Sequence, residues 1–399
     1  MSRYLITGGA GFIGANFVRY LLRKHGNEAN ILILDALTYA GNLENLSEEL
    51  KHDNVEFIRG DIRDEKLIKR ILNEFDPDFV VNFAAETHVD RSITGPQIFL
   101  ETNILGTQNL LEACRCAWLI RHDENGKPIY RSGHRFLQIS TDEVYGSLSR
   151  DYDSPRPLEV SDEVMAVAKN RTNLQTFGNG FFTENTPLAP RSPYSASKTS
   201  ADLFTIAYGE TYGLPVNITR CSNNYGPCQF PEKLIPLIIN NILEGKKIPV
   251  YGKGENVRDW LYVDDHAKAI DMVLRNGRIG ETYNIGGFNE EQNITIVKTV
   301  IDIVRQIMDS EPAYRELLSH PVEDIDYSLI TFVTDRPGHD MRYAIDPTKI
   351  ATELGWYPET PFDEGIEKTV RWYLDNPGWV RRITSGDYRI YYDKMYSNR

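Results

Sequence analysis

Long apolar runs are missing from this sequence: none approaches the roughly 20 residues that a membrane-spanning helix needs. The chain opens directly on strand-like YLIT, which leaves no room for a cleavable leader and predicts a protein that stays in the cytoplasm. Cysteine is scarce. Cys114, Cys116, Cys221 and Cys228 include no Cys-x-x-Cys pair and no histidine partner at zinc spacing. A disulfide framework and a zinc site are thereby excluded, and no metal is expected. Positive charge is short as well, with 44 Lys and Arg against 57 Asp and Glu and a net charge of -13. That balance excludes an extended nucleic-acid surface. It does not exclude a small anionic ligand held by a few local cations and backbone N–H groups.

What is present is alternation. RYLIT (3–7), ILILD (31–35), VEFI (55–58), FVVNFAA (79–85), RFLQIS (135–140) and VNITR (216–220) read as strands. Residues 12–25, 64–75, 98–118 and 195–212 read as helices between them. Near-continuous apolar strands alternating with amphipathic helices predict an α/β fold, a Rossmann-type doubly wound parallel sheet covered on both faces. After about residue 224 the rhythm changes to helix-like segments at 234–244, 294–308 and 363–374 among Pro- and Gly-rich loops. We expect a first domain over 1–224 carrying the doubly wound sheet and a smaller mixed α/β lobe with a C-terminal arm over 225–399, leaving 256–286 open between the two. Residues 147–187 are polar, without clear period, and read as a long inserted loop. The tail WVRRITSGDYRIYYDKMYSNR reads as a docked C-terminal arm rather than a nucleic-acid contact in so acidic a chain.

Directly after the first strand, TGGAGFIG places glycines at Gly8, Gly11 and Gly14. Glycine here permits a tight turn, lets the backbone approach a pyrophosphate and allows close helix packing, while the following helix offers its N-terminal N–H groups to phosphate. Asp35 ends the second strand, where an acid holds ribose hydroxyls or else caps a turn. The next residues, ALTYAGN, hold no Arg for a 2′-phosphate, so NAD is expected rather than NADP. Asp61, after the third strand, reads either as a contact to the adenine amino group or as an N-cap.

PYSASK places Tyr194 and Lys198 four apart, on one face of a helix. An ammonium beside a phenol is expected to lower the phenol's pKa and make it a usable base. STDEVYG (140–146) puts two acids, Asp142 and Glu143, side by side at a strand end. Like charges this close raise at least one pKa, which suits opposite acid and base roles.

Taken in order, the glycine pattern, NFAAETHVD (82–90), STDEVYG and Tyr-x-x-x-Lys resemble the extended short-chain dehydrogenase/reductase family. Within it the chain is similar to the nucleotide-sugar 4,6-dehydratases that act on dTDP-glucose. RCSNNYGP (220–227), EKLIP (232–236), PVYGKGENVRDWLYVDDHA (249–267), YNIGG (283–287) and DRPGHDMRYAID (335–346) extend the likeness to about residue 375. The resemblance implies that Tyr194 takes the proton of the sugar's 4-hydroxyl, with Thr141 hydrogen-bonding the same hydroxyl. It implies Glu143 as the base at carbon 5 and Asp142 as the acid at the 6-hydroxyl. On the cofactor it places Phe12, Ile13, Thr38 and Ile62, together with Ala84, Ala85, Thr102 and Asn224. On the substrate it places Thr87, Asn223, Lys233, Pro249 and Tyr251, with Asn293 and His339. Arg258, before strand-like WLYVDD, and Arg336 are the expected partners of the substrate's diphosphate. The family further implies a homodimer paired through helices 98–118 and 195–212. The segment between Gly146 and Tyr194 is longer than is usual in the family, and 150–183 is expected to form a flap or an oligomer contact. The rival readings are another nucleotide-sugar enzyme on the same scaffold, such as a 4-epimerase, a decarboxylase or a GDP-mannose dehydratase, and a non-catalytic NAD-sensing protein.

Overall fold

The computed structural model describes residues 1–168, 174–335 and 338–384. Its largest element is a seven-stranded sheet built from β1 (Ser2–Thr7), β2 (Ala29–Asp35), β3 (Val55–Arg59), β4 (Phe79–Asn82), β5 (Arg135–Thr141), β6 (Val216–Cys221) and β7 (Thr282–Ile285). The spatial order is β3-β2-β1-β4-β5-β6-β7 and every neighbouring pair is parallel. The order reverses between β1 and β4. At such a switch point the loops leaving two adjacent strands diverge and open a crevice at their C-terminal ends.

Both faces of the sheet are covered. α1 (Phe12–His25) and α5 (Val263–Asn276) pack on one face, over a core that includes Tyr4, Ile6, Phe17, Leu21, Ile270 and Tyr283. α2 (Glu65–Glu74), α3 (Thr107–Trp118) and α4 (Pro193–Tyr212) cover the other, around Leu5, Leu32, Leu111, Trp118 and Phe136. Burial on both faces is why the strands read as continuous apolar runs rather than as an alternation. The helix ends follow local chemistry. Asp64 caps α2 by accepting from the Leu67 amide at 3.0 Å. Ser192 and Ser195 form a reciprocal capping box at the start of α4, and Gly213 closes its end in the left-handed region at φ 63.

After β6 the chain leaves the sheet. It forms a second core around Trp260, Ile238, Val300, Val370 and Tyr373, within helices 234–243, 293–310 and 362–375. The segment 256–286 divides: strand Val257–Tyr262 pairs in a small sheet with Asn223–Tyr225 and Glu290–Gln292, while α5 and β7 rejoin the large sheet. Ile350 and Trp356 also return to that first core. The lobes are therefore sewn together by chain that passes between them repeatedly.

Three local expectations need correction. The helix over 98–118 is not uniform: Leu100–Gly106 is π-helical, with α3 beginning at Thr107. The WLYVDD segment is strand only to Tyr262, because Val263 already opens α5, and Arg258 lies inside that strand rather than before it. The insertion is not an irregular loop. It contains helix Asp162–Val167, an antiparallel bridge of residues 156–157 with 175–176, and buried Val164, Leu174, Phe177 and Phe182 packed on this chain's own second half. Arg336, residues 169–173 of the insertion and the tail beyond Thr384 lie outside the described residues.

Candidate active site

One cavity runs along the C-terminal ends of the strands at the switch point. At its first end lies the turn from β1 into α1. Gly8 has φ +68, and a Cβ there would lie 2.6 Å from the Ala84 amide nitrogen. A Cβ on Gly14 would run into the Gly8 carbonyl oxygen. Gly11 stands at the N-cap of α1 with no side-chain hydrogen bond to the first turn. The opening N–H groups of the helix are thus left for a ligand, and these positive dipole ends suit a pyrophosphate. Gly8, Gly11, Phe12, Ile13 and Gly14 all form walls of the cavity.

Asp35 is buried at the end of β2. Its two oxygens accept the amides of Ala10 at 2.9 Å and Leu37 at 2.8 Å. Burial pushes its pKa up and the two amides pull it back. Each oxygen keeps a second lone pair for a hydroxyl. Asp61 does not cap α2, because Asp64 does. Its carboxylate instead grips Arg63 at 2.7 Å, and Arg63 also reaches Glu101 at 2.8 Å. Burial would raise the Asp61 pKa, but the Arg63 contacts win and hold it below the usual carboxylate range. Thr38, Ile62, Ala84, Ala85 and Thr102 line the same stretch, and so does Asn224. The Asn224 amide is oriented by the Ser222 carbonyl at 2.9 Å and by His266 Nδ1 at 2.8 Å. Burial pushes His266 down to about 3, so it stays neutral and donates to Asn224 Oδ1.

At the other end, β5 delivers Thr141, Asp142 and Glu143 to the cavity wall, and α4 delivers Tyr194 and Lys198. Asp142 is 2 % exposed. Thr141 Oγ1 donates to one of its oxygens at 3.3 Å, and its other oxygen has no hydrogen-bond partner among the described residues. Burial, then the neighbouring charges of Glu143 and Asp259, raise its pKa well above the ordinary carboxyl value, with Arg258 opposing. Burial among like charges favours the protonated form of a carboxyl, as a general acid requires.

The tyrosine and lysine do share a face of α4, but their electrostatics differ from the expectation. Lys198 Nζ donates to the Ile139 carbonyl at 2.7 Å. Burial pushes the lysine down, with Asp202 the strongest opposing charge. The Tyr194 phenol is pushed well above 10 by burial, and then by Glu143, Cys221 and Asp142. In the protein alone, burial dominates the phenol and the acids add to it.

Sequence reasoning missed three supports. Asp202 stands one further i+4 step along α4 and forms a buried ion pair with Arg220 at 2.9 Å. The spacing Tyr194, Lys198, Asp202 was a readable signal. Asn103, in the π-helical turn, both accepts from the Glu86 amide and donates to its carbonyl, and it bonds Ser197 at 2.8 Å. His266 behind Asn224 left no signal.

Of the expected substrate residues, Thr87, Asn223 and Lys233 line the same cavity, and Lys233 Nζ donates to the Thr87 carbonyl at 3.4 Å. Pro249, Tyr251, Arg258, Asn293 and His339 are not among its walls. They lie on the second lobe. Tyr251 donates to Asp90 at 3.2 Å and its ring meets His339 at 6.0 Å. Asn293 opens its helix with its amide on the Asn256 carbonyl at 3.0 Å. Arg258 is buried, donating to the carbonyls of Val257 at 2.7 Å and Asp340 at 3.0 Å, with its guanidinium 4.2 Å over the Tyr343 ring.

The model of the NAD dependent epimerase/dehydratase family matches residues 4–286. A dTDP-glucose 4,6-dehydratase of Shigella flexneri is 49% identical over 397 residues, covering 100% of this chain and 99% of its own. A dTDP-glucose 4,6-dehydratase of Xanthomonas campestris pv. campestris (strain B100) is 48% identical over 391 residues, covering 98% of each. Among solved structures, the dTDP-glucose 4,6-dehydratase DesIV from Streptomyces venezuelae, crystallised with NAD bound, aligns with a TM-score of 0.77 at 42% identity, over 96% of this chain and 99% of its own.

Proposed function

The chain belongs to the NAD dependent epimerase/dehydratase family, and on that premise we propose that it acts as a dTDP-glucose 4,6-dehydratase. This lyase converts dTDP-glucose to dTDP-4-keto-6-deoxyglucose and water. The observation that carries the reading is the buried Asp142 beside Glu143, its pKa raised by burial, on the same cavity wall as Tyr194 and Lys198. An epimerase has no need of an acid and a base beyond the tyrosine. A dehydratase needs both.

The glycine turn and Asp35 fit NAD: the turn has no room for side chains where a pyrophosphate would lie, and the acid stands in the cavity wall with lone pairs left for a ribose hydroxyl. When bound, NAD supplies the acceptor of the hydride from carbon 4 and its donor to carbon 6. The chain's own residues do the rest. Tyr194 takes the proton of the 4-hydroxyl, with Thr141 aligning that hydroxyl and Lys198 charged at its side. The new ketone acidifies carbon 5. Glu143 removes that proton, and Asp142 gives its own to the departing 6-hydroxyl. Arg258 is assigned to the diphosphate, Thr87 to the sugar, and Asn223, Lys233, Pro249, Tyr251, Asn293 and His339 to the remainder of the nucleotide sugar; Arg336, outside the described residues, is assigned to the diphosphate from the sequence resemblance alone.

We also propose a homodimer formed through the π-helical segment and α4. Leu100 (51% exposed), Leu105 (60%), Leu203 (52%) and Phe204 (41%) leave apolar surface there that a second copy would cover. No described helix is long and apolar enough to cross a membrane. Free cysteines fit the reducing cytoplasm, which we propose as the location.

The test is mass spectrometry of the product after separate incubation with dTDP-glucose, UDP-glucose and GDP-mannose. Loss of one water from dTDP-glucose, with no net consumption of NAD, is expected. A changed sugar configuration at constant mass would refute the dehydratase reading.

A further inference from the structure

On the segments that pair with Arg258's strand lies a fully buried ion pair that the proposed chemistry does not use. Arg342 and Glu290 are both 0% exposed. Arg342 Nε and Nη2 grip the two Glu290 oxygens, each at 2.7 Å. The rest of its fork points into the insertion. Nη2 donates to Thr176 Oγ1 at 3.0 Å and to the Gly178 carbonyl at 3.3 Å, and Nη1 to the Gly180 carbonyl at 2.7 Å. Glu290 in turn accepts from the Thr176 hydroxyl at 2.9 Å and the Phe177 amide at 3.1 Å. A planar fork with all three of its nitrogens engaged is held in one orientation.

The backbone on either side of this knot holds Arg258. The Val257 amide donates to the Met341 carbonyl at 2.8 Å, and the Tyr343 amide to the Val257 carbonyl at 3.1 Å. Arg258 itself donates to the carbonyls of Asp340 and Met341 and stacks on Tyr343. Residues 340–343 therefore form its cradle. In an extended segment successive side chains point to opposite faces. Tyr343 faces Arg258, and Arg342 pegs the same segment from behind. Glu290 faces Asp259 across the small sheet, one residue from Arg258.

We propose that Glu290 and Arg342 are positioning residues for Arg258, and that residues 174–182 of the insertion serve as a fixed strut that locks them. The inference rests on the reading that Arg258 meets the substrate's diphosphate. The insertion reaches Arg258 through the Thr176 hydroxyl and the backbone of residues 177–180, so its expected effect is on binding of the diphosphate.

The test is calorimetric titration of the holoenzyme with dTDP and with thymidine, for wild type, Glu290→Gln and Arg258→Met. Glu290→Gln is expected to weaken dTDP about tenfold or more, as for a lost charge-assisted contact. Thymidine affinity should stay within about twofold, and KM for dTDP-glucose should rise with kcat nearly unchanged. A purely structural role would lower the active fraction and leave dTDP affinity and KM alone, and that result overturns the proposal. If Arg258→Met also binds dTDP as wild type does, the reading of Arg258 itself fails. If Glu290→Gln does not fold, Thr176→Val decides: about threefold weaker dTDP supports the strut, and no change overturns it.

Discussion

At the scale of single residues, Asp142 is the position where stability and function pull apart. A carboxyl whose folded pKa is raised binds its proton more tightly folded than unfolded. Its contribution is therefore intact below the unfolded value and is lost as the pH rises through the folded one. Asparagine cannot ionise and escapes that loss. Asp142→Asn should unfold later than wild type at pH 8, by at least about 1 kcal/mol, and the two should converge towards pH 4 in thermal melts. The same substitution should cut turnover by about 100-fold or more, since it cannot protonate the 6-hydroxyl. Wild-type kcat should fall as the pH rises through the raised Asp142 pKa, and equal turnover by the variant at every pH would contradict its role as acid. Glu143, beside it, was legible from the heptapeptide alone, because strand end and turn are local. That the acids also raise Tyr194 was not legible, since burial decides it.

At the scale of elements, what the sequence displayed was whatever a short period encodes. The glycine turn, the helix-face pair of Tyr194 and Lys198 and the apolar strands are all set by neighbours within a few residues. The π-helical turn at Leu100–Gly106 was invisible, because shifting a hydrogen-bond register leaves no mark in composition. The insertion looked irregular because its buried side chains meet Phe288, Tyr343, Ile345, Ala351 and Tyr357, residues far along the chain. The Arg342–Thr176 bond spans 166 positions and no local pattern records it. The glycine turn gives a direct prediction. Gly14→Ala drives a methyl into the Gly8 carbonyl and Gly9. Cofactor affinity should drop about tenfold or more in a titration with NAD, while far-ultraviolet circular dichroism stays that of a folded α/β protein. Unchanged NAD binding would mean that the cofactor does not approach this turn.

At the scale of the whole molecule, the passage of chain between lobes matters more than a boundary. α5, β7 and Trp356 belong to the first core although they follow the first segments of the second lobe. Arg258, in the strand leading into α5, is therefore anchored relative to both lobes. The exposed apolar face on α4 and the π-helical turn makes assembly testable. Leu203→Glu with Phe204→Glu should shift the sedimentation coefficient from dimer to monomer, and a dimer that survives both would place the interface elsewhere.

The most direct test of the account follows one atom. dTDP-glucose carrying deuterium at carbon 4 is converted by the enzyme with its tightly held NAD, and the product is read by nuclear magnetic resonance. If one site oxidises carbon 4, eliminates water through Glu143 and Asp142 and returns the same hydride, the deuterium should appear at carbon 6, with solvent hydrogen at carbon 5. Deuterium retained at carbon 4, or lost from the product altogether, would contradict it.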